Sequence, residues 1–351
     1  MVCFTTAQKR AYDFIVVGSG PAAASWVRTA LKRAPNSRIL MMERGVYSKV
    51  DILTEANPLK LMKATKDMLK MHNHEVMQGN CAGGGSSVNG YVWVTPSRQD
   101  LVNGYGATAA SELGEHLEEY EGFADDLVSP KPEIHSLHKL LSQGCEEQGV
   151  EIESSNKLTC RTSNRQTLFI GTPTLHPLTG VRRSAMSAVL EPLLRENYDQ
   201  LDLMVESPVA RVLFEDKNNA VGVVTADGKI IKAGKVILAA GCIETPAILQ
   251  RSGVGDAAAL SKHGIPSIVD NPLVGTGLGD KMLTDDMLAL KKTPGSKTYD
   301  ASLFVVNRVF EAISLTLTLT STLSPPTTVL TPTLSLRTVL QFSFIAFAPT
   351  L

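Results

Sequence analysis

With 34 basic and 35 acidic residues among 351, the chain carries a formal net charge of −1, which excludes the charge excess that draws a protein to nucleic acid or to an anionic membrane surface. A hydrophobic fraction of 43% over this length can bury one large core or two smaller ones. The five cysteines, Cys3, Cys81, Cys145, Cys160 and Cys242, form no C-x-x-C pair and no zinc spacing, so free thiols in a reducing compartment are expected rather than a disulfide framework. The opening MVCFTTAQKR lacks the apolar core of a signal peptide, which sets a cytoplasmic expectation.

In chain order, the first predicted element is a buried parallel strand ending in the apolar run Phe14 to Val17. It leads into Gly18-Ser19-Gly20-Pro21-Ala22-Ala23, a tight glycine turn opening a helix of small residues. Gly18 permits the sharp turn, Gly20 lets a dinucleotide pyrophosphate approach the backbone, and Ala23 keeps the helix close to the strand. The helix N-terminus then faces the phosphate charge. A second apolar run, Ile39 to Met42, ends in Glu43. An acid roughly 20 to 25 residues beyond the glycines is placed to take the two ribose hydroxyls of an adenosine.

From Glu43 to Gly79 the chain is polar, and NPLKLMKATKDMLKMHNH spaces its apolar residues as a helix does. His72-Asn73-His74-Glu75 reads as a solvated surface, with no metal expected. The glycine-dense stretch Gly83-Gly84-Gly85-Ser86-Ser87-Val88-Asn89-Gly90 follows. Its backbone amides, unobstructed by side chains, can cradle a phosphate or lie against a flat aromatic cofactor. A strand is predicted over Tyr91 to Thr95, and two amphipathic helical stretches within residues 110–150. Pro208 to Leu238 reads as a meander with turns near Asn218-Asn219 and Asp227-Gly228, which would extend a Rossmann unit. The run from Lys235 to Gly241 is a further buried strand; it continues into a helix, with Pro246 near the start and Gly253 and Gly255 after the end.

The composition breaks at Ser314. From there to Leu351 the only charged residue is Arg337, and glycine is absent. Ser314 to Thr320 alternates as a strand would, but Pro325, Pro326 and Pro332 interrupt any continuing ladder. Thr338 to Leu351 is apolar and, at 14 residues, too short for a bilayer span. This low complexity is expected of a tail that is not selected protein sequence, as from a shifted reading frame or a translated intron.

Together the motifs resemble the glucose-methanol-choline (GMC) flavoprotein oxidoreductases over residues 11–290, in that family's order. GSGPAA with Glu43-Arg44-Gly45 is similar to the family's adenosine site, and CAGGGSSVNGYVWVTPSRQD to its first signature. Gly180-Val181-Arg182-Arg183-Ser184-Ala185, followed by Leu190, resembles its G-x-R-x-S-A segment, and AAGCIETPAILQRSGVGD its second signature. Val274-Gly275 with Gly277-Leu278-Gly279-Asp280 resembles its VGxxLxDH run, Lys281 taking the histidine position.

The resemblance implies an α/β, Rossmann-like FAD/NAD(P)-binding domain of GMC type with an incomplete substrate domain. It implies FAD rather than a nicotinamide, and oxidation of the CH–OH group of a small-molecule alcohol by hydride transfer to the flavin. The implied division is a first FAD-binding part with the flavin loop over residues 11–124 and a helical or cap region over 125–207. A second FAD-binding part covers 208–290, the start of the substrate domain 291–313, and the low-complexity tail 314–351. Carried over residue by residue, Gly18, Gly20 and Glu43, with Ser19, Pro21, Ala22, Ala23 and Arg44 alongside, hold the ADP half. Gly84, Ser86, Asn89 and Gly90 lie against the pyrophosphate and flavin ring, Val209 presents its backbone to the adenine, and Gly241 closes the site near the pyrophosphate. Val88 stands where some members attach FAD through a histidine, so non-covalent FAD is expected.

Members of that family take the alcohol proton with a C-terminal histidine, paired with a second histidine or an asparagine. The seven histidines here are His72, His74, His116, His135, His138, His176 and His263, so none can stand in that place. The expectation is the N-terminal portion of such an oxidoreductase, lacking the catalytic histidine. An active enzyme with an unrecognised base, an inactive FAD-binding fragment or mis-assembled gene product, and an NAD-dependent dehydrogenase are the alternatives. The flavin-loop and second-signature matches count against the last.

Overall fold

A computed structural model describes residues 11–47, 69–72, 76–89, 94–96, 98–116, 143, 146–147, 151–155, 158–160, 167–171, 182–197, 199–217, 219–278, 313–319 and 332–338. Its centre is a six-stranded sheet made of β1 (Tyr12–Val17), β2 (Ile39–Met42), β3 (Leu201–Met204), β4 (Val209–Asp216), β5 (Asn219–Thr225) and β6 (Ile230–Leu238). The order across the sheet is β4-β5-β6-β1-β2-β3. β1 runs parallel to both β2 and β6, and β2 parallel to β3. β4, β5 and β6 form the expected antiparallel meander. β6 serves both halves: Ile230 to Lys232 pair with β5, while Ala233 to Leu238 pair with β1.

All four side chains of β2 are buried, because both faces of the parallel half are covered. Val16, Ile39, Met41, Leu201 and Leu203 face Ala23, Ala24, Val27 and Leu31 of helix α1 (Pro21–Arg33), together with the π-helical turn Ala185–Leu190. Ile15, Val17, Leu40 and Met42 pack on the opposite face with Val212, Val223 and Ile231 of the meander and Ile248 of helix α2 (Gly241–Arg251). This is the period-two alternation of a strand; each fully buried Ile, Leu or Met contributes about 1.5–3 kcal/mol. α1 starts with Pro21, pre-set for a first helical turn, and ends with Lys32 and Arg33, which complement its dipole. No acid occupies its first turn.

Four expectations are corrected. The helix-compatible stretch before Gly79 ends instead in strands: Leu69–His72 and Val76–Gly79 pair antiparallel, Met71 opposite Met77. Leu69 and Met71 alternate with Lys70 and His72, a period-two signal too short to stand out within a helical window. His74 and Glu75 lie outside the described residues. The helix expected from residue 110 begins earlier, as Arg98–Glu115, with a non-helical Gly106 (φ 81°, ψ 164°) interrupting its period. Pro246 lies inside α2, which starts five residues before it, so the proline forgoes only a bond to the carbonyl of the first turn. In the tail, Ile313–Leu319 and Pro332–Thr338 pair antiparallel with Leu319 opposite Pro332. Pro332 is the first residue of its strand, where a missing N–H is tolerated; Pro325 and Pro326 lie outside the described residues. Among the described residues no helix is long and apolar enough to cross a membrane.

Candidate cofactor site

The C-terminal ends of β1, β2 and β6 converge on the glycine turn. Gly18 N–H donates to Met42 O at 2.8 Å, and Ala239 N–H to Val17 O at 2.8 Å. Gly18 has φ 105°, and a Cβ there would stand 2.3 Å from Ala239 O, so the fold itself demands glycine. Gly20 is different. Its backbone is extended (φ −71°, ψ −176°), and a Cβ would find Gly84 Cα, at 4.0 Å, as its nearest neighbour. Protein packing does not require a glycine at position 20. What its missing side chain leaves open is the approach to the N-terminus of α1, where a pyrophosphate would lie.

Glu43 directly follows β2 and is 5% exposed. Its Oε2 accepts from Ser19 N–H at 3.1 Å and Ser19 Oγ at 2.7 Å, and its Oε1 from Gly45 N–H at 2.8 Å. Burial pushes the carboxyl pKa up; the bonds from Ser19 and Gly45 and the nearby Arg44 charge oppose that rise. A carboxylate offers about four lone-pair sites, so three protein donors leave capacity for a ligand hydroxyl. Ser19 Oγ also accepts from Gly83 N–H at 3.2 Å, joining the acid to the second glycine loop. Behind Glu43, Ser207 N–H donates to its carbonyl at 2.8 Å, which places Val209, the first residue of β4, two residues from the acid's backbone.

The second glycine loop folds as a 3-10 turn, Gly84–Ser87. It packs backbone to backbone on the first: a Cβ on Gly84 would lie 3.0 Å from Gly20 Cα. Its acceptors are tied down within the protein. Cys81 O takes Gly84 N–H, Ala82 O takes Ser87 Oγ, Gly83 O takes Ser86 Oγ, and Gly85 O takes the N–H groups of Val88 and Asn89. These bonds fix the loop's shape, and a glycine-rich turn of this kind can lie against an anion. The thiol of Cys81 at the loop's entrance is pushed up to about 12, first by burial and then by the Glu43 charge, so it stays protonated and inert.

The family model described as GMC oxidoreductase matches residues 12–283. The chain belongs to the GMC oxidoreductase family. It is 29% identical over 317 residues to an alcohol dehydrogenase (acceptor) of Pseudomonas putida, a match covering 81% of this chain and 56% of that protein. It is 26% identical over 310 residues to choline oxidase of Arthrobacter globiformis, covering 77% and 55%. In fold it is similar to a formate oxidase of Aspergillus oryzae, with a TM-score of 0.58 at 23% identity, covering 78% of this chain and 53% of that one. The chain spans about half the length of the curated relatives named here.

This GMC chain gathers most of the sequence-predicted residues at one end of its sheet. Gly18, Ser19, Gly20, Glu43, Gly84 and Ser86 form the contiguous cluster described above. Pro21 is half-buried, Ala22 is exposed on the first turn of α1, and Ala23 is buried against the sheet. Arg44 bonds Glu244 Oε1 at 2.7 Å and Gln78 Oε1 at 2.9 Å. Gln78 in turn donates to Ala240 O at 3.1 Å and sits where a Cβ on Gly241 (φ 87°) would meet it at 2.8 Å. Arg44 and Gly241 are thereby joined through a side chain that carried no sequence signal. Gly90 lies outside the described residues. Asn89 is present at the loop's end, held by Arg182, which sequence reasoning placed in a motif without giving it a role.

Proposed function

We propose that this GMC chain binds FAD non-covalently and represents the cofactor-binding part of an oxidoreductase acting on the CH–OH group of a small-molecule alcohol. The observation that carries this reading is Gly20, a glycine that packing does not need, lying between the acid-free N-terminus of α1 and the loop at Gly84. FAD fits that set of groups. Its pyrophosphate carries the charge a helix N-terminus accepts, and its adenosine ribose offers a hydroxyl to the remaining acceptor capacity of Glu43. Bound FAD would supply the two-electron acceptor. The residues named here bind and orient it; proton removal from the alcohol needs a further group. No histidine follows His263 in the 351 residues, so none of these residues stands in the position of the base that the family resemblance implies.

Val88 in place of a flavinylating histidine supports non-covalent binding. Purified protein should show flavin absorption in the visible, and acid precipitation should release FAD into the supernatant. A colourless protein that takes up no added FAD would overturn the cofactor assignment, and yellow colour retained in the washed pellet would overturn the attachment.

A further inference from the structure

Ordering a residue's backbone costs conformational entropy, and glycines widen the range of shapes to be given up. A glycine loop ordered only by its ligand would bind that ligand weakly. In this chain a segment remote in sequence adds its bonds to the loop's own. Arg182, 2% exposed, spans the loop with both terminal nitrogens. Its Nη1 donates to Ser86 O at 3.2 Å and to Asn89 Oδ1 at 2.5 Å, and its Nη2 to Asn89 O at 2.7 Å. Three residues on, Ala185 N–H donates to Ser86 Oγ at 2.9 Å, while Ser86 Oγ itself donates to Gly83 O at 2.7 Å. Ser184 caps the π-helical turn that follows, through a reciprocal pair of bonds with Ser187, and so anchors this segment to a fixed element.

We propose that Arg182 is the positioning residue of the flavin loop, its planar fork holding Ser86 and Asn89 in the shape that receives FAD before FAD arrives. The proposal rests on the FAD reading above. Two properties of the guanidinium suit the task. It stays charged at any accessible pH, and its rigid donors reach two carbonyls and a side-chain amide at once, which the single ammonium of lysine does not reproduce.

FAD titrations of the purified full chain, followed by quenching of flavin fluorescence and by the visible spectrum of the bound cofactor, test this. AMP serves as a second ligand because it carries the adenosine and one phosphate without the flavin. Arg182→Gln should weaken FAD tenfold or more and blur the resolved shoulders of the bound flavin band, leaving AMP affinity within twofold. Arg182→Lys should recover part of the FAD affinity but not the spectrum. If wild type binds no FAD, the cofactor reading fails and this proposal with it. If wild type binds FAD and Arg182→Gln binds it with the same affinity and spectrum, the proposal alone fails. Equal losses of AMP and FAD would also overturn it, by showing a general fold role. Should far-UV circular dichroism show Arg182→Gln unfolded, Asn89→Ala decides. This half-buried position should bind FAD several-fold more weakly with a changed spectrum and unchanged AMP affinity; no change would overturn the proposal.

Discussion

Glu43 answers two opposed demands, and the opposition is measurable. Its carboxylate is buried, so its folded-state pKa is raised; the desolvation exceeds what Ser19, Gly45 and Arg44 return. An acid with a raised folded pKa is protonated in the native state while already ionised in the unfolded chain. The unfolded state then binds fewer protons, and stability falls as pH rises. The window opens near the ordinary glutamate value of about 4.3 and closes at the folded pKa. The difference in apoprotein Tm between wild type and Glu43→Gln should therefore shift against wild type across that window and level off above it. A difference that stayed flat with pH would show Glu43 to be unstrained. FAD binding has the opposite sign: Glu43→Ala leaves a ligand hydroxyl without an acceptor and should weaken FAD by about 1–3 kcal/mol. Unchanged affinity in a titration would remove Glu43 from the site.

At the scale of elements, the β1–turn–α1 unit separates what the fold requires from what a ligand requires. Gly18→Ala forces a side chain at φ 105° into Ala239 O, and backbone on both sides cannot yield. Overpacking of this kind typically costs about 1–3 kcal/mol, so a clear fall in Tm is expected. Gly20→Ala meets no backbone or side-chain atom closer than 4.0 Å. It should leave the Tm of the apoprotein nearly unchanged and still weaken FAD, because the new methyl stands in the approach to α1. Equal destabilisation by the two substitutions would refute this division of roles. The same unit shows why part of the site was legible in the sequence. An apolar run, two glycines, a helix of small residues and an acid ending the next apolar run are local signals, each within a few residues of its effect. The meander was legible for the same reason, since alternation and turn residues mark it directly. β3 gave little notice: Leu201–Met204 has four residues, and its place is set by pairing with β2 across some 160 residues of chain. Arg182, Gln78 and Glu244 were silent as site residues because their partners are remote in sequence, and one polar side chain looks like any other.

For the molecule as a whole, the question is whether a site that holds FAD suffices for turnover. The chain spans about half the length of its curated relatives, and none of its 351 residues beyond His263 is a histidine. Among the described residues, the buried groups near the glycine loops offer no replacement. Glu43 is engaged by Ser19 and Gly45, and Cys81 is held protonated with its pKa at about 12. Among the described residues, neither Glu43 nor Cys81 is placed to take an alcohol's proton, and general-base catalysis typically contributes about 10²–10⁴-fold in rate. We propose that these 351 residues, assayed by themselves, bind FAD without steady oxidation of alcohols. Asp285, Asp286 or a histidine such as His176, all outside the described residues, could reverse this. A panel of primary and secondary alcohols, assayed with oxygen and with an artificial electron acceptor, decides the matter. Background-level rates with a spectrally loaded protein are the expected result. Sustained turnover that disappears when FAD is removed would show that a base is present, and loss of that turnover in His176→Ala, Asp285→Asn or Asp286→Asn would identify it.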